Sequence, residues 1–457
     1  MNRISRRAWA LVILIAMLVG GVGFFMVEFF IRANTWVVSP GSPHIYTGTN
    51  IGTGTVVDRN GTVLLESGDN RTYSDEKTIR KSTLHWLGDR VGHISAPAVS
   101  TYAEEMSGYD VLSGLYSYSG EGGQAVLTLS ADIQSVALKA MGDRKGTIAV
   151  YNYETGEILC AVTTPTYDPD NVPDIEGDTS GAYEGIYLNR FTQSSYVPGS
   201  IFKLVTTAAA LDSIDDIREQ RFKCSGSYAY GPDKVTCERA HGTLDLEAAL
   251  AKSCNCAFAQ IADQLGAETL EEYVEEFQIT QSVSFDGITT VSGNFDLKKA
   301  ADVEVAWSAI GQHTDLVNPC RYMTFMGAIA GGGKAAQPYI VAQAGTGSHM
   351  AYTAETVFSE RIMAKEVAEI LGEYMANNVA TVYGSSNFPG MTVCAKSGTS
   401  QLGGGQASNA MFAGFVADAE YPLAFVVVVE GGGYGSATCV PILSKVLAAC
   451  KDEMDSY

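Results

Sequence analysis

The spacing of apolar positions divides the chain into three textures. Residues 8–27, "AWALVILIAMLVGGVGFFMV", form an unbroken run of twenty residues without a charge. At 1.5 Å per residue in a helix this run is about 30 Å long, the hydrocarbon thickness of a bilayer. It predicts one spanning helix within residues 1–34, and no second run of comparable length follows. Residues 35–123 show little helical periodicity and are rich in Gly, Ser, Thr and Tyr. Within them "TGTVVDRNGTVLLE" alternates apolar and polar positions around Asn60-Gly61, the signature of a hairpin with a two-residue turn. The pattern predicts a small β-rich module there, with its one helix in the charged patch from Thr72 to Arg90.

From Gln124 to the end, residues 124–457, the texture is mixed. "AVLTLSADIQSVALKAM" predicts a short strand and then a helix starting near Ser130. "GTIAVYNYETGEILCAVTTP" predicts two strands turning at Glu154-Thr155-Gly156. Helical spacing dominates from about residue 200 to 380. Three strand-like runs, "MTVCAKSGT", "NAMFAGFVAD" and "PLAFVVVVEGG", then precede a closing helix. Strands at both ends of a helical middle imply an α+β domain whose sheet is assembled from both ends.

Composition narrows the function. Over 457 residues the chain is 46% hydrophobic and 18% charged, an ordinary globular balance. Its net charge of -21 repels a phosphate backbone, so no nucleic-acid partner is expected. Arg3, Arg6 and Arg7 precede the apolar run, which places the N-terminus in the cytoplasm and the chain after Glu28 outside. The run is longer than a signal-peptide core and lacks an A-x-A-like cleavage site, favouring an uncleaved anchor in the lipid bilayer. Outside the cytoplasm, cysteines can form disulfides. Of the nine, Cys224 and Cys237 bracket a loop rich in Gly and Tyr and form the candidate pair, while Cys160, Cys394 and Cys439 sit in or beside apolar runs. There is no C-x-x-C, no H-E-x-x-H, and the six histidines are scattered, so neither a metal site nor a cofactor is expected.

The candidate chemistry begins with a lysine in an apolar setting. In "SSYVPGSIFKLVTTAAALDS", Pro198-Gly199 ends one segment and Ser200 opens a helix running to about Leu211. Ser200 and Lys203 are one turn apart and share a face. The helix has almost no polar side, so it is buried, and burial favours the neutral amine. A neutral amine beside a hydroxyl is a general base beside a nucleophile. The bland alternative is a helix cap followed by a snorkelling lysine. That reading prevails at Ser74-x-x-Lys77, whose flanks are polar.

Two more short motifs shift the balance. Ser253-Cys254-Asn255 precedes an amphipathic helix carrying Phe258, Ile261 and Leu265, whereas the Ser-x-Asn pattern at Ser292 and Ser385 lies in loop-like sequence. Lys396-Ser397-Gly398-Thr399 follows the strand run "MTVCA". There Lys396 offers a fixed positive charge for a carboxylate, and Gly398 removes a side chain where a ligand backbone could lie along a strand edge.

The order S-x-x-K, S-x-N, K-S-G on helix, helix and strand resembles the serine-acylating penicillin-binding proteins and β-lactamases. Residues 124–457, including "YVPGSIFKLVTTAAALD", "CERAHGTLDLEAALAKSCNCAFAQIADQLG", "AIGQ" and "AIAGGGKAAQPYIV", are similar to the transpeptidase domain of class B penicillin-binding proteins. "VVDRNGTVLLES" resembles their juxtamembrane module, with Gly52-Thr53-Gly54 where Arg-Gly is usual. The resemblance implies an antiparallel sheet flanked by helices with a helical cluster, on a β-rich pedestal and one transmembrane helix.

It further implies that Ser200 attacks the penultimate D-alanine carbonyl of a peptidoglycan stem and Lys203 takes its proton. Ser253 would relay a proton to the leaving D-alanine, and Asn255 would hold the substrate amide and Lys203. Lys396, Ser397, Gly398 and Thr399 would bind the substrate strand and its carboxylate, with backbone N–H groups of Ser200 and Thr399 as oxyanion hole. Implied partners are stem peptides as donor and amine acceptor, β-lactams, and a membrane glycan polymerase of elongation, division or sporulation. There is no room before residue 124 for a glycosyltransferase domain. A D,D-carboxypeptidase, a β-lactamase or a β-lactam sensor with little turnover remain alternatives on the same residues.

Overall fold

A strand buried on both faces reads as a continuous apolar run, and the runs at the two ends of residues 146–429 become neighbours. In the computed structural model, which describes residues 2–37, 46–47, 50–51, 54–67, 71–107, 109–110, 115–116, 123–347, 349–401 and 406–456, they form one five-stranded sheet. Its strands are β1 (Gly146–Asn152), β2 (Ile158–Thr164), β3 (Val393–Ser400), β4 (Asn409–Val416) and β5 (Leu423–Val429), in the order β2-β1-β5-β4-β3. Every adjacent pair is antiparallel, and β5 joins the early hairpin with Leu423 opposite Asn152. The period of two then sorts side chains into two cores. Ile148, Val150, Phe425 and Val427 pack with Leu443 and Val446, while Ala149, Tyr151, Val426 and Val428 pack with Phe325 and Met326.

The helices that position the site are α1 (Ala131–Met141), α2 (Lys203–Ser213), α3 (Asn255–Glu276), α4 (Pro319–Ala330) and α5 (Gly435–Met454). Ser130 caps α1 by accepting from the Ile133 N–H at 3.3 Å, as the sequence predicts. Asn318 caps α4 likewise, and its Nδ2 donates to the Ser194 carbonyl at 2.8 Å. α1 and α5 cover one face of the sheet and α4 the other.

A second, six-stranded sheet crosses the boundary expected at residues 123 and 124. Its order is His349–Thr353, Val341–Thr346, Gly123–Leu127, Gly54–Val57, Val63–Ser67, Arg71–Tyr73. Gly54–Val57 pairs in parallel with Gly123–Leu127, which pairs with Val341–Thr346. The hairpin at Asn60-Gly61 is present, but its turn is longer than two residues because Val57 pairs with Val63. Asp58 explains this: its Oδ1 accepts from the N–H groups of Asn60 and Thr62, and its Oδ2 from that of Ala131 at the start of α1. The patch from Thr72 to Arg90 divides into a strand end and a helix, Lys77–Leu87. Two further short helices, Pro97–Ser100 and Ala103–Ser107, correct the expectation of a single helix.

The N-terminal helix extends over Asn2–Val37, and its segment Ile4–Ala33 is the one helix among the described residues long and apolar enough to cross a membrane. Gly52 and Thr53 lie outside the described residues.

Candidate active site

Ser200 sits in a single 3-10 turn, Gly199–Phe202, with α2 starting at Lys203. The turn is fixed largely through its backbone. Gly199 N–H donates to the Gly311 carbonyl at 2.8 Å, and the Ile201 carbonyl accepts from Tyr322 Oη at 2.7 Å. Glycines permit the close approach to β3. Gly199 has φ +56°, and a Cβ there would lie 2.7 Å from the Thr399 carbonyl oxygen. A Cβ on Gly398 would lie 2.7 Å from the Pro198 carbonyl oxygen. This corrects the sequence reading of Gly398: the serine turn itself, rather than a ligand, occupies the space a side chain would take.

Ser253 and Asn255 form a corner between Leu246–Ala251 and α3. Ser253 is a non-glycine residue at φ +51°, a conformation that costs about 1 kcal/mol or more and that surrounding contacts must maintain. Its N–H donates to the Leu250 carbonyl and that of Cys254 to the Ala249 carbonyl. Asn255 Nδ2 donates to the Thr236 carbonyl at 2.8 Å, which turns its Oδ1 toward Lys203. By contrast Ser74 accepts from the Glu76 N–H ahead of the helix Lys77–Leu87, whose N-cap is Glu76. Lys77 is exposed, so the polar helix start holds there without Ser74 as its cap.

Lys203 is fully buried, and its Nζ faces four oxygens: Asn255 Oδ1 at 2.7 Å, the Ser253 carbonyl at 2.8 Å, and the Ser200 and Ser253 hydroxyls at 3.1 Å each. An amide or carbonyl oxygen can only accept, whereas a hydroxyl can also donate. The two N–H groups of a neutral amine are thus committed to Asn255 and the Ser253 carbonyl, and the lone pair faces the hydroxyls. Burial, reinforced by the Lys396 charge, lowers Lys203 to about 7.

Lys396 lies on β3 at the sheet edge, and the K-S-G triplet falls inside the strand, not at its end. Its Nζ donates to Ser253 Oγ at 3.2 Å and to the Ser397 carbonyl at 2.9 Å, so Ser253 Oγ lies between two lysines. Burial lowers Lys396 to about 7 as well, so its charge is not fixed across the neutral range. Ser397 Oγ lies 3.0 Å from Tyr383 Oη, which also accepts from the Ser397 N–H at 2.9 Å. Thr399 Oγ1 accepts from the Gly435 N–H at 3.1 Å and keeps its own proton to donate.

Ser200, Lys203, Ser253, Asn255 and Lys396 therefore converge, while Ser397, Gly398 and Thr399 continue the adjoining edge. Three supporting residues escaped the sequence reading. Tyr383 acts through two contacts to Ser397 and Thr236 through one, without any local pattern, and Gly311 through its carbonyl.

The cysteine expectations require correction. Cys224 and Cys237 are free thiols, each facing His241 Nδ1, at 3.6 and 3.5 Å, while Cys237 Sγ lies 3.8 Å from Cys254 Sγ. Strand Phe222–Cys224 pairs with Gly242–Leu244, which brings His241 between the two sulfurs. The chain thus does carry a group of side chains able to hold a metal, Cys224, Cys237, His241 and Cys254. Its legible trace was the spacing Cys237-x-x-x-His241.

Comparison with known proteins agrees with the fold. The chain belongs to the penicillin-binding protein transpeptidase domain family, whose model matches residues 146–448. It is 28% identical over 364 residues to the peptidoglycan D,D-transpeptidase PbpA of Mycolicibacterium smegmatis, covering 73% of each chain. The structure is similar to the ceftriaxone acyl-enzyme complex of penicillin-binding protein A from M. tuberculosis, with TM-score 0.76 and 22% identity over 87% of this chain and 98% of that one. It is also similar to the D,D-transpeptidase domain of a peptidoglycan glycosyltransferase from Eggerthella lenta, with TM-score 0.75 and 24% identity over 87% and 98%.

Proposed function

We propose that this chain is a peptidoglycan D,D-transpeptidase that works through an acyl-enzyme on Ser200. The observation that carries the reading is the ordered set of acceptors around Lys203, which leaves one lone pair for the Ser200 proton at 3.1 Å. In the proposed sequence Ser200 Oγ attacks the penultimate D-alanine carbonyl while its proton passes to Lys203. Backbone N–H groups of Ser200 and Thr399 receive the oxyanion, an interaction commonly worth about 3 kcal/mol of barrier. Ser253 Oγ, between the two lysines, delivers its proton to the departing D-alanine amine as the C–N bond breaks and regains one from Lys203, which returns to the neutral amine. An amine of a neighbouring stem then attacks the ester, restores the Ser200 hydroxyl and leaves a cross-link.

The substrate carboxylate favours the ammonium form of Lys396, with Thr399 donating to the same group. A β-lactam presents an amide of similar geometry and leaves Ser200 acylated. The N-terminal helix anchors the domain on the outer face of the membrane with its arginines inside. Residues 35–123 serve as the pedestal, beside which a membrane glycan polymerase supplies the strands.

Intact-mass measurement after benzylpenicillin tests the reading. One adduct per chain is expected on the wild type and none on Ser200→Ala. An unmodified wild type, or an adduct on the variant, overturns it. Incubation with a stem-peptide donor and an amine acceptor should give the cross-linked product in excess over hydrolysis. Hydrolysis alone would assign a carboxypeptidase instead.

A further inference from the structure

The Ser253–Asn255 corner is held by side chains that have the composition of a metal site. Cys224 ends the strand Phe222–Cys224, and Cys237 follows the strand Asp233–Thr236. His241 precedes Gly242–Leu244, and Cys254 caps α3. The four ligand atoms all lie within 4.8 Å of one another. Zinc bonds of about 2.3 Å to sulfur and about 2.0 Å to imidazole, at the tetrahedral angle, require about 3.8 Å between sulfurs and about 3.5 Å between sulfur and nitrogen. The recorded separations are 3.8 Å for Cys237 and Cys254, and 3.5 and 3.6 Å from His241 Nδ1 to Cys237 and Cys224. Three thiols and an imidazole without a carboxylate select a borderline-soft tetrahedral ion over magnesium or calcium.

We propose that Cys224, Cys237, His241 and Cys254 bind one structural Zn2+, and that this ion pins the corner carrying Ser253 and Asn255. Binding releases the thiol protons to solvent and leaves all four positions filled by protein, so the ion takes no substrate. Its leverage on the site is short-range. Cys254 is the residue between Ser253 and Asn255, and Cys237 follows Thr236, whose carbonyl holds the Asn255 amide at 2.8 Å. Zinc also keeps Cys224 and Cys237 from oxidising to a disulfide outside the cytoplasm.

The test uses the full-length protein purified in detergent, with zinc itself as the probe. Elemental analysis should find one zinc per chain, lost in Cys237→Ser and His241→Ala. Exchange of the wild type with Co2+ should give the visible bands of a tetrahedral ion with thiolate charge transfer, a readout that does not depend on a variant folding or on turnover. Removing zinc with a chelator should slow acylation by fluorescent penicillin about tenfold, the range for groups that orient a site, and added zinc should restore it. Absence of zinc with free thiols, a disulfide among these cysteines, or a different native metal overturns the site. Unchanged acylation after complete removal overturns the pinning.

Discussion

Two junctions meet at Lys203, and they are held by different physics. The serine turn, Gly199–Phe202, is locked by backbone hydrogen bonds and by glycines at 199, 311 and 398 that let main chains approach within contact. The Ser253 corner has no such glycine. It holds a serine at φ +51° through short backbone bonds, the Asn255 amide and the thiol–imidazole cluster behind it. A junction packed by backbone cannot accept an added methyl group but is indifferent to redox state. A junction held by side chains tolerates volume and fails when the polar contacts are changed. The nucleophile's position is thus built into the fold, whereas the proton-handling groups opposite it depend on a separate brace.

The largest effect should come from the one side chain that joins both junctions. Lys203→Met keeps the buried volume and removes the base, so acylation by benzylpenicillin should fall about a thousandfold, within the range for general-base loss. Circular dichroism should show the fold retained. A fall below threefold would show that the amine is not needed.

Next in size is the pH profile. Lys203 at about 7 is protonated below that pH and then has no lone pair for Ser200. The acylation rate should rise with pH up to about 7 as Lys203 loses its proton, and fall above it as Lys396, also lowered to about 7, loses the charge that meets the carboxylate. A rate still climbing steadily to pH 10 would put the amine at its ordinary value.

Gly398→Ala probes the packed junction. The added Cβ meets the Pro198 carbonyl, which should destabilise the domain by about 2 kcal/mol in urea unfolding and displace the serine turn. An unchanged midpoint would mean that the turn moves freely. Tyr383→Phe should have the smallest effect, roughly 1 kcal/mol or less, because it removes one hydroxyl from Ser397. Its acylation rate should change no more than a few-fold, and a larger loss would give Tyr383 a direct role.

The same contrast explains what was legible in the sequence. The five-stranded sheet was, because "LAFVVVV" and "TIAVYN" are apolar on both faces and such runs have few other destinations. The serine turn was legible because Ser200 and Lys203 are one helical turn apart. The six-stranded sheet was not. Its strands Val341–Thr346 and His349–Thr353 mix polar and apolar residues, and the first of them pairs with the distant Gly123–Leu127, Val341 lying opposite Leu127. Asp58, which ties that sheet to α1, acts through backbone donors that carry no sequence signal. Gly398 was legible as a glycine but its neighbour was not, since Pro198 approaches it only in three dimensions. The thiol–imidazole cluster was hidden for the same reason: its ligands come from two short hairpins and a helix cap, with gaps that match no short motif.

The central claim is that Lys203 rests as a neutral amine with its lone pair toward Ser200. The most direct test is an NMR titration of protein labelled at the lysine side-chain nitrogen, assigned by comparison with Lys203→Met. The account predicts a Lys203 resonance that titrates near pH 7, far below solvent-exposed lysines. A midpoint at the ordinary lysine value would contradict it.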